Sequence, residues 1–292
     1  MRALACGLAT LDVTQVVARV PAANDKVVAR STSLEAGGPA LNAALTCAAL
    51  GVATTLVTAL GDGVAAEVVR ADCARYGVRL ADVADPASGW VVPVSTVLVT
   101  EGTGERAVVS RNAVGMTTYA VCAPQFWAGL LDGVGAVLVD GHHQPVGIAA
   151  AREARGRGIP VLLDGGSWKP GLEELLPWVD VAVVSADFAV PGGGDGEALL
   201  ALGPAWVART AGAEPVRWWA RDGGTGTVPV PRVRVVDTLG AGDVLHGALL
   251  AEMAQTGRSD LPGALARAVA VASTSVQAPG ARGWLKRERA SG

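Results

Sequence analysis

Short β-rich runs alternate with longer runs of small apolar residues along most of this chain, and few folds accept that rhythm. ALACGL (3–8), TTLVTALG (54–61), AVLVD (136–140), PVLLD (160–164), VAVVS (181–185) and WVARTAG (206–212) read as strands. Between and after them come helical runs. These are PALNAALTCAALG (39–51), GVAAEVVRADCARYG (63–77), PVGIAAAREARGRG (145–158), the run after 241, and LPGALARAVAVASTSVQ (261–277). The strand runs are apolar throughout rather than alternating, so both of their faces need cover. That predicts a parallel sheet with helices on both sides. Half of the 292 residues are hydrophobic but only 4% are aromatic, which suits small side chains packed closely between sheet and helix. The length fits one α/β domain with an appendage, spanning 1–292.

Two stretches break the rhythm. VTQVVARVPAANDKVVARSTSLEAGG (13–38) has strand-like pieces and no helix, and VVPVSTVLVTEGTGERAVVSRN (91–112) reads as a hairpin turned by EGTGE. Their shared character predicts that about 13–36 and 91–112 pair into a small sheet projecting from the main body, as a lid. PGGGDG (191–196) reads as a loop, and the tail KRERASG (286–292) is expected to fray. The net charge of −3 includes no basic stripe, which argues against nucleic acid. Cys6, Cys47, Cys73 and Cys122 are widely spaced without a C-x-x-C pair, so buried thiols in a reducing compartment are expected, not disulfides or zinc. The start, MRALACGLATLD, reads as a first strand, not a secretion signal, and no apolar run is long enough to span a membrane. A soluble, cytoplasmic protein is the expectation.

The chemistry concentrates in DTLGAGD (237–243). A Gly-rich turn into a helix presents free backbone N–H groups at the positive end of the helix dipole, which attracts anions. A carboxylate beside a phosphate would be repelled unless it had work to do. Asp243 can take the proton of an attacking hydroxyl while the amides of Gly240, Ala241 and Gly242 hold the transferring phosphoryl group. Standing alone, the same residues would serve equally well to cap the helix. The chain lacks G-x-x-x-x-G-K-[ST], and GLATLD (7–12) does not supply G-x-G-x-x-G, which argues against a P-loop and against a dinucleotide-dependent oxidoreductase. It does carry EAGGPALNAALTCAALG (35–51), a Gly-Gly pair before a helix bearing Asn42.

GGPALN (37–42) followed far downstream by DTLGAGD resembles the two signatures of the ribokinase-like (PfkB) family of carbohydrate kinases, in order and spacing, over essentially the whole chain. The resemblance implies a three-layer α/β/α domain with a central, mostly parallel sheet and a small β-sheet lid. It also implies ATP-dependent phosphorylation of a sugar hydroxyl, with ATP and Mg²⁺ as cofactors and a monovalent cation as a further option. Asp243 would be the base and Gly240, Ala241 and Gly242 the anion hole. Asp12, Gly37, Gly38 and Asn42 would bind sugar hydroxyls, which suit paired acceptors or a donor with an acceptor. Thr210 and Gly212 of RTAGAEP resemble the T-x-G turn beside the nucleotide, and Asp237 and Thr238 would shape the site around the triphosphate. Family lids often pair subunits, which leaves a homodimer through the lid open.

The chain departs from the pattern at VVSADFAV (183–190). Where many members carry N-x-x-E for Mg²⁺ and phosphate, Ser185 replaces Asn and Phe188 replaces Glu, with Asp187 one residue earlier as a substitute through water. Pro215 also stands where a second Gly would follow the T-x-G turn. The Ser185–Asp187 variation, with DVLHGAL (243–249) and APGARG (278–283), resembles the ketohexokinase and sulfofructose kinase-like members, and implies a ketose or modified ketose. A pentose or nucleoside kinase of the same family, and a non-catalytic sugar-binding or regulatory homologue, remain alternatives. His142 and His143 of DGHHQ (140–144) sit where open α/β sites lie, and His142 is a substrate contact or a loop histidine. Adjacent histidines without further ligands make a poor zinc site. Asp164 and Lys169 of DGGSWK (164–169) would assist phosphate binding or lie on the surface. On the hairpin, Arg111 is the better placed to reach a substrate, whereas Arg106 reads as part of a solvated face. His246, one turn beyond Asp243, is expected in the core or at the site rim.

Overall fold

The computed structural model of the chain describes residues 1–103, 105–115 and 124–285. Gly104 in the hairpin turn, Cys122 and the tail 286–292 lie outside the described residues. In chain order the strands are β1 (Arg2–Cys6), β2 (Thr10–Val17), β3 (Ser31–Gly37), β4 (Ala53–Thr58), β5 (Arg79–Asp82), β6 (Val94–Thr100), β7 (Arg106–Ser110), β8 (Val134–Val139), β9 (Val161–Gly165), β10 (Val181–Val184), β11 (Trp206–Ala211), β12 (Glu214–Ala220) and β13 (Thr225–Val228). The helices are α1 (Pro39–Ala49), α2 (Val64–Arg75), α3 (Pro124–Leu131), α4 (Gln144–Gly156), α5 (Leu172–Leu175), α6 (Gly196–Leu200), α7 (Ala241–Thr256) and α8 (Leu261–Ser275).

Nine of these strands form one sheet in the order β13-β12-β11-β10-β9-β8-β1-β4-β5. From β11 to β5 every pairing is parallel, and the β11-β12-β13 edge is antiparallel. Side chains alternate between two buried layers. Ala3 and Ala5 of β1, Ala136 and Leu138 of β8, and Val181 and Val183 of β10 pack with α1, α2, α7 and α8. Leu4 and Cys6, Val137 and Val139, and Ala182 and Val184 pack with α3, α4 and α5 on the other side. Period-2 burial on both faces is why these runs carry no polar alternation. The result is the three-layer α/β/α arrangement expected. Strands β5, β12 and β13 and helices α3, α5 and α6 were not anticipated. They are short or half-exposed, so their hydrophobic pattern is weak.

A second sheet has the order β3-β2-β6-β7. It joins the two segments that broke the rhythm, through a parallel β2–β6 pairing. Register then decides what each face does. Glu35, Asp12, Ser95 and Ser110 form one row across the four strands, and all four face the same cavity. Leu34, Val13, Thr96 and Val109 form the adjacent row and point the other way.

No helix of the described residues is long and apolar enough to cross a membrane. Cys6, Cys47 and Cys73 are buried, and desolvation pushes the Cys47 thiol up to about 12 and Cys73 to about 11. Such thiols are poor nucleophiles.

Candidate active site

β1 is the point where strand order reverses, with β8 on one side and β4 on the other. A crevice opens there beyond the strand ends. Asp140, just past β8 and 2% exposed, gathers three backbone amides at this point. Its Oδ2 accepts from Leu8 N at 2.8 Å and Ala40 N at 3.2 Å, and its Oδ1 from His142 N at 2.8 Å. One buried carboxylate thus ties the exit of β1, the first turn of α1 and the loop after β8. A Cβ at Gly7 would overlap that carboxylate, so Gly7 makes room for it. Asp140 shapes the site without lining its cavity, and sequence reasoning missed it. Its only signal was a carboxylate at a strand end in DGHHQ.

The cavity beyond this junction has a volume of about 230 Å³. Asp12, Gly38, Asn42, His142, Gly240 and Asp243 all line it, so chain segments more than 200 residues apart converge as expected. Asp12 stands on β2, and its Oδ1 accepts from Thr10 Oγ1 at 2.7 Å. Gly37 does not line the cavity; a side chain there would collide with the Asp12 carboxylate, so its contribution is the space Asp12 uses. Gly38 has φ +99°, and a Cβ would lie 2.5 Å from Leu8 O, so both conformation and space demand glycine.

α7 is apolar on nearly every face and is buried between the sheet and helices α1 and α8, as such helices must be. Gly240 caps its N-terminus at φ 73°, ψ 7°. By position the first-turn amides are those of Ala241, Gly242 and Asp243. Ala241 N already donates to Thr238 O, at 3.3 Å. A Cβ at Gly242 would stand in open space, so nothing in the fold requires glycine there. The turn before the helix is held by Asp237, which accepts from Leu239 N and Gly280 N, both at 2.9 Å. The position of Asp243 in the first turn brings its Oδ2 within 2.7 Å of Asn42 Nδ2.

The environment of Asp243 disfavours its charge. Burial of the carboxyl is the largest influence, and the neighbouring Asp164 adds to it. The Asn42 hydrogen bond and His246 oppose them, leaving the group raised from 3.8 to about 7. The residue keeps an opening toward the cavity, so the carboxyl can meet a substrate although protein surrounds it. Arg282, in the APGARG segment and 5% exposed, fixes the other end of the amide. Its guanidinium donates to Asn42 Oδ1 at 3.4 Å, to Asp72 and to Ala36 O. Because arginine only donates, the Asn42 oxygen faces it and the NH₂ faces Asp243.

The remaining expectations divide. Arg111 does not line the cavity; its neighbour Asn112, at φ 49°, does. Arg106, expected on a solvated face, instead donates from its Nη2 to Thr238 Oγ1 at 2.6 Å and joins the small sheet to the Gly-rich turn. Ser185, Asp187, Thr210 and Gly212 lie beyond β10 and in and after β11, and none lines the cavity. Ser185 Oγ donates to Gly166 O at 2.7 Å and accepts from Asp187 N at 3.2 Å, while Asp187 itself is exposed. Thr210 Oγ1 reaches Val184 O at 3.4 Å. Phe188 is buried edge-on to Trp168, with ring centres 5.7 Å apart. Burial pushes the His142 ring's pKa down and that of His143, buried against Trp90, to about 4. His246 is in the core.

A family model, the pfkB family carbohydrate kinase, matches residues 2–287. The chain belongs to this family. Within it, the chain is 28% identical over 267 residues to the uncharacterized sugar kinase YegV of Escherichia coli (strain K12), covering 85% of this chain and 80% of that protein. The crystal structure of a candidate ribokinase from Agrobacterium tumefaciens superposes with a TM-score of 0.84 at 27% identity, covering 99% and 96% of the two chains. The ribokinase of Arabidopsis thaliana, solved with ribose and ATP, superposes at 0.74 with 20% identity and 98% and 97% coverage, which speaks for the fold alone. The pfkB membership makes this chain a sugar kinase of ribokinase-like fold.

Proposed function

We propose that this kinase transfers the γ-phosphoryl group of ATP to a hydroxyl of a neutral sugar held between Asp12 and Asp243. The observation that carries the reading is Asp243 itself. It is a carboxyl poised near neutral pH that lines the cavity, in the first turn of a helix whose N-terminal Gly240 lines it too. In the reaction Asp243 takes the hydroxyl proton as the sugar oxygen bonds to phosphorus and the bond to ADP breaks. The amides of Gly242 and its neighbours would hold the phosphoryl oxygens, and the open space beside Gly242 suits that approach. The small sheet, with Arg106 reaching Thr238, would act as a lid that keeps water from the phosphoryl group.

Among the described residues no three His, Cys, Asp or Glu side chains converge on a metal position. With Phe188 in the core where the family pattern has Glu, the described residues offer no ready ligand set for Mg²⁺. The donor set suits an ion brought in on the nucleotide's own phosphates, which it would neutralise there, and no step is derived through it.

The cavity lining favours a neutral substrate. Its charged groups are Asp12, Glu35, Asp243 and Arg282, and Arg282 is already committed to Asp72, Ala36 and Asn42. Among the described residues a sulfonate, carboxylate or phosphate would find carboxylates and no available cation. Among the described residues no aromatic ring apart from the His142 imidazole lines the cavity, which gives a nucleobase little to stack on. Within neutral sugars a ketose is the first choice, on the strength of DVLHGAL and APGARG. The test is ADP release with MgATP against neutral ketoses, aldoses, sulfosugars, sugar phosphates and nucleosides, repeated with Asp12→Asn. A neutral sugar should raise ADP release far above the background with water. Asp12→Asn should raise its KM about 10- to 100-fold, the worth of a hydrogen bond to a charged acceptor. Turnover confined to an anionic sugar or a nucleoside, or no ATP binding at all, would overturn the reading.

We also infer that the outer face of the small sheet pairs two copies of the chain. Leu34 and Val109 stand on it 59% and 76% exposed. Sedimentation should give twice the chain mass, and Val109→Glu should give the monomer; a monomeric parent at micromolar concentration refutes the pairing.

A further inference from the structure

Behind Asp243 lies a buried pair that the chemistry above leaves unused. His246, on α7 one turn after Asp243, is 5% exposed and does not line the cavity. Its Nδ1 lies 2.7 Å from Gly242 O and 3.3 Å from Asp164 Oδ2, and its Nε2 lies 3.0 Å from Val183 O. The two carbonyl oxygens can only accept. A neutral imidazole has one N–H, so its bare nitrogen would press a lone pair against a carbonyl oxygen. Both carbonyl contacts are satisfied when both nitrogens donate. The ring is then a cation, and Asp164, 6% exposed at the end of β9, is its counter-charge. Burial holds the Asp164 carboxyl above the usual carboxylate range, and the charge of His246 beside it is the largest influence drawing it back down. A charge this deep persists only when it is paired and hydrogen-bonded.

The bonds also have a mechanical sense. Gly242 belongs to the first turn of α7, and Val183 to β10. The ring therefore bridges the helix start to the centre of the sheet. We propose that His246, as an imidazolium paired with Asp164, is a positioning residue that fixes the first turn of α7, and so Asp243 and the amides beside it, against the ends of β9 and β10. The inference rests on Asp243 being the base. Displacing a reacting group by about 1 Å costs up to about a hundredfold in rate, so a side chain that never meets the substrate can govern turnover.

The test has two parts. The chain has three histidines, and ¹⁵N-histidine NMR of the intact protein, with His246 assigned by comparison with His246→Gln, reads the ring directly. Two N–H groups on His246 at neutral pH are expected; one bare nitrogen overturns the proposal without any variant having to fold. Kinetics then read the consequence. His246→Leu should lower kcat about 10- to 100-fold with sugar KM unchanged, and His246→Gln, which keeps one donor, should recover part of the loss. A parent-like kcat in folded His246→Leu, while Asp243→Asn is inactive, sinks this proposal and leaves the base intact. Parent-like turnover in Asp243→Asn sinks the base and this proposal's catalytic consequence with it, whereas the NMR result still stands for the ring.

Discussion

Asp243→Asn is expected to lower kcat by about 10²- to 10⁴-fold, the usual contribution of a positioned general base, with little change in sugar KM. The amide keeps the size of the side chain and its contact with Asn42, and it cannot accept a proton. The parent should show kcat/KM rising with pH through about 7, because only the ionised carboxyl can serve as base. Stability should move the opposite way. Asp243 has a folded-state pKa raised from 3.8 to about 7. Between those limits the folded chain holds a proton that the unfolded chain has released, so stability falls as pH rises through this window and stays lower above it. Asn carries no such penalty. Asp243→Asn should therefore melt above the parent at pH 8, and the difference should shrink toward pH 4. A kcat within tenfold of the parent would remove Asp243 from the base role, and a variant that melts below the parent at pH 8 would contradict the burial argument.

Gly247→Val should damage stability and catalysis together. Gly247 is where α7 crosses α1. A Cβ there would strike Ala43 O, and would lie 2.7 Å from Thr46 Cβ and 2.9 Å from Ala43 Cα. These are backbone atoms or the root of a side chain, so no rotamer relieves the conflict. The helices must part, at a cost of about 1–3 kcal/mol for overpacking. The same movement separates Asn42, one residue before Ala43, from Asp243, one turn before Gly247. Their 2.7 Å hydrogen bond is then lost and Asp243 shifts from its place. A lower melting temperature with kcat reduced about tenfold or more is expected, and Gly247→Ala should fall between that variant and the parent. Parent-like melting and turnover in Gly247→Val would show that α1 and α7 can slide apart freely.

The sequence by itself determined the layered fold and the two segments of the small sheet, while the convergence of Asp12, Asn42 and Asp243 was implied only by the resemblance to the pfkB signatures. The first two are written in local patterns. Apolar runs of strand length, helical runs between them and a Gly-rich turn before a helix follow from residues within a few positions of one another. Tertiary structure alone decided the rest. Asp140 binds amides 100 and 132 residues away, and Arg282 reaches Asp72 across 210. Nothing near either residue in sequence marks it as a junction. Arg106 and Arg111 are five residues apart on one hairpin, and only the docking of the small sheet on the main body sends Arg106 to Thr238 and leaves Asn112, not Arg111, beside the cavity. Gly247 reads as one more small residue in an apolar helix until α1 is laid across it. Periodicity is a property of a segment and can be read along the chain. A hydrogen bond between distant segments depends on where both come to rest, and close packing of the core fixes that position.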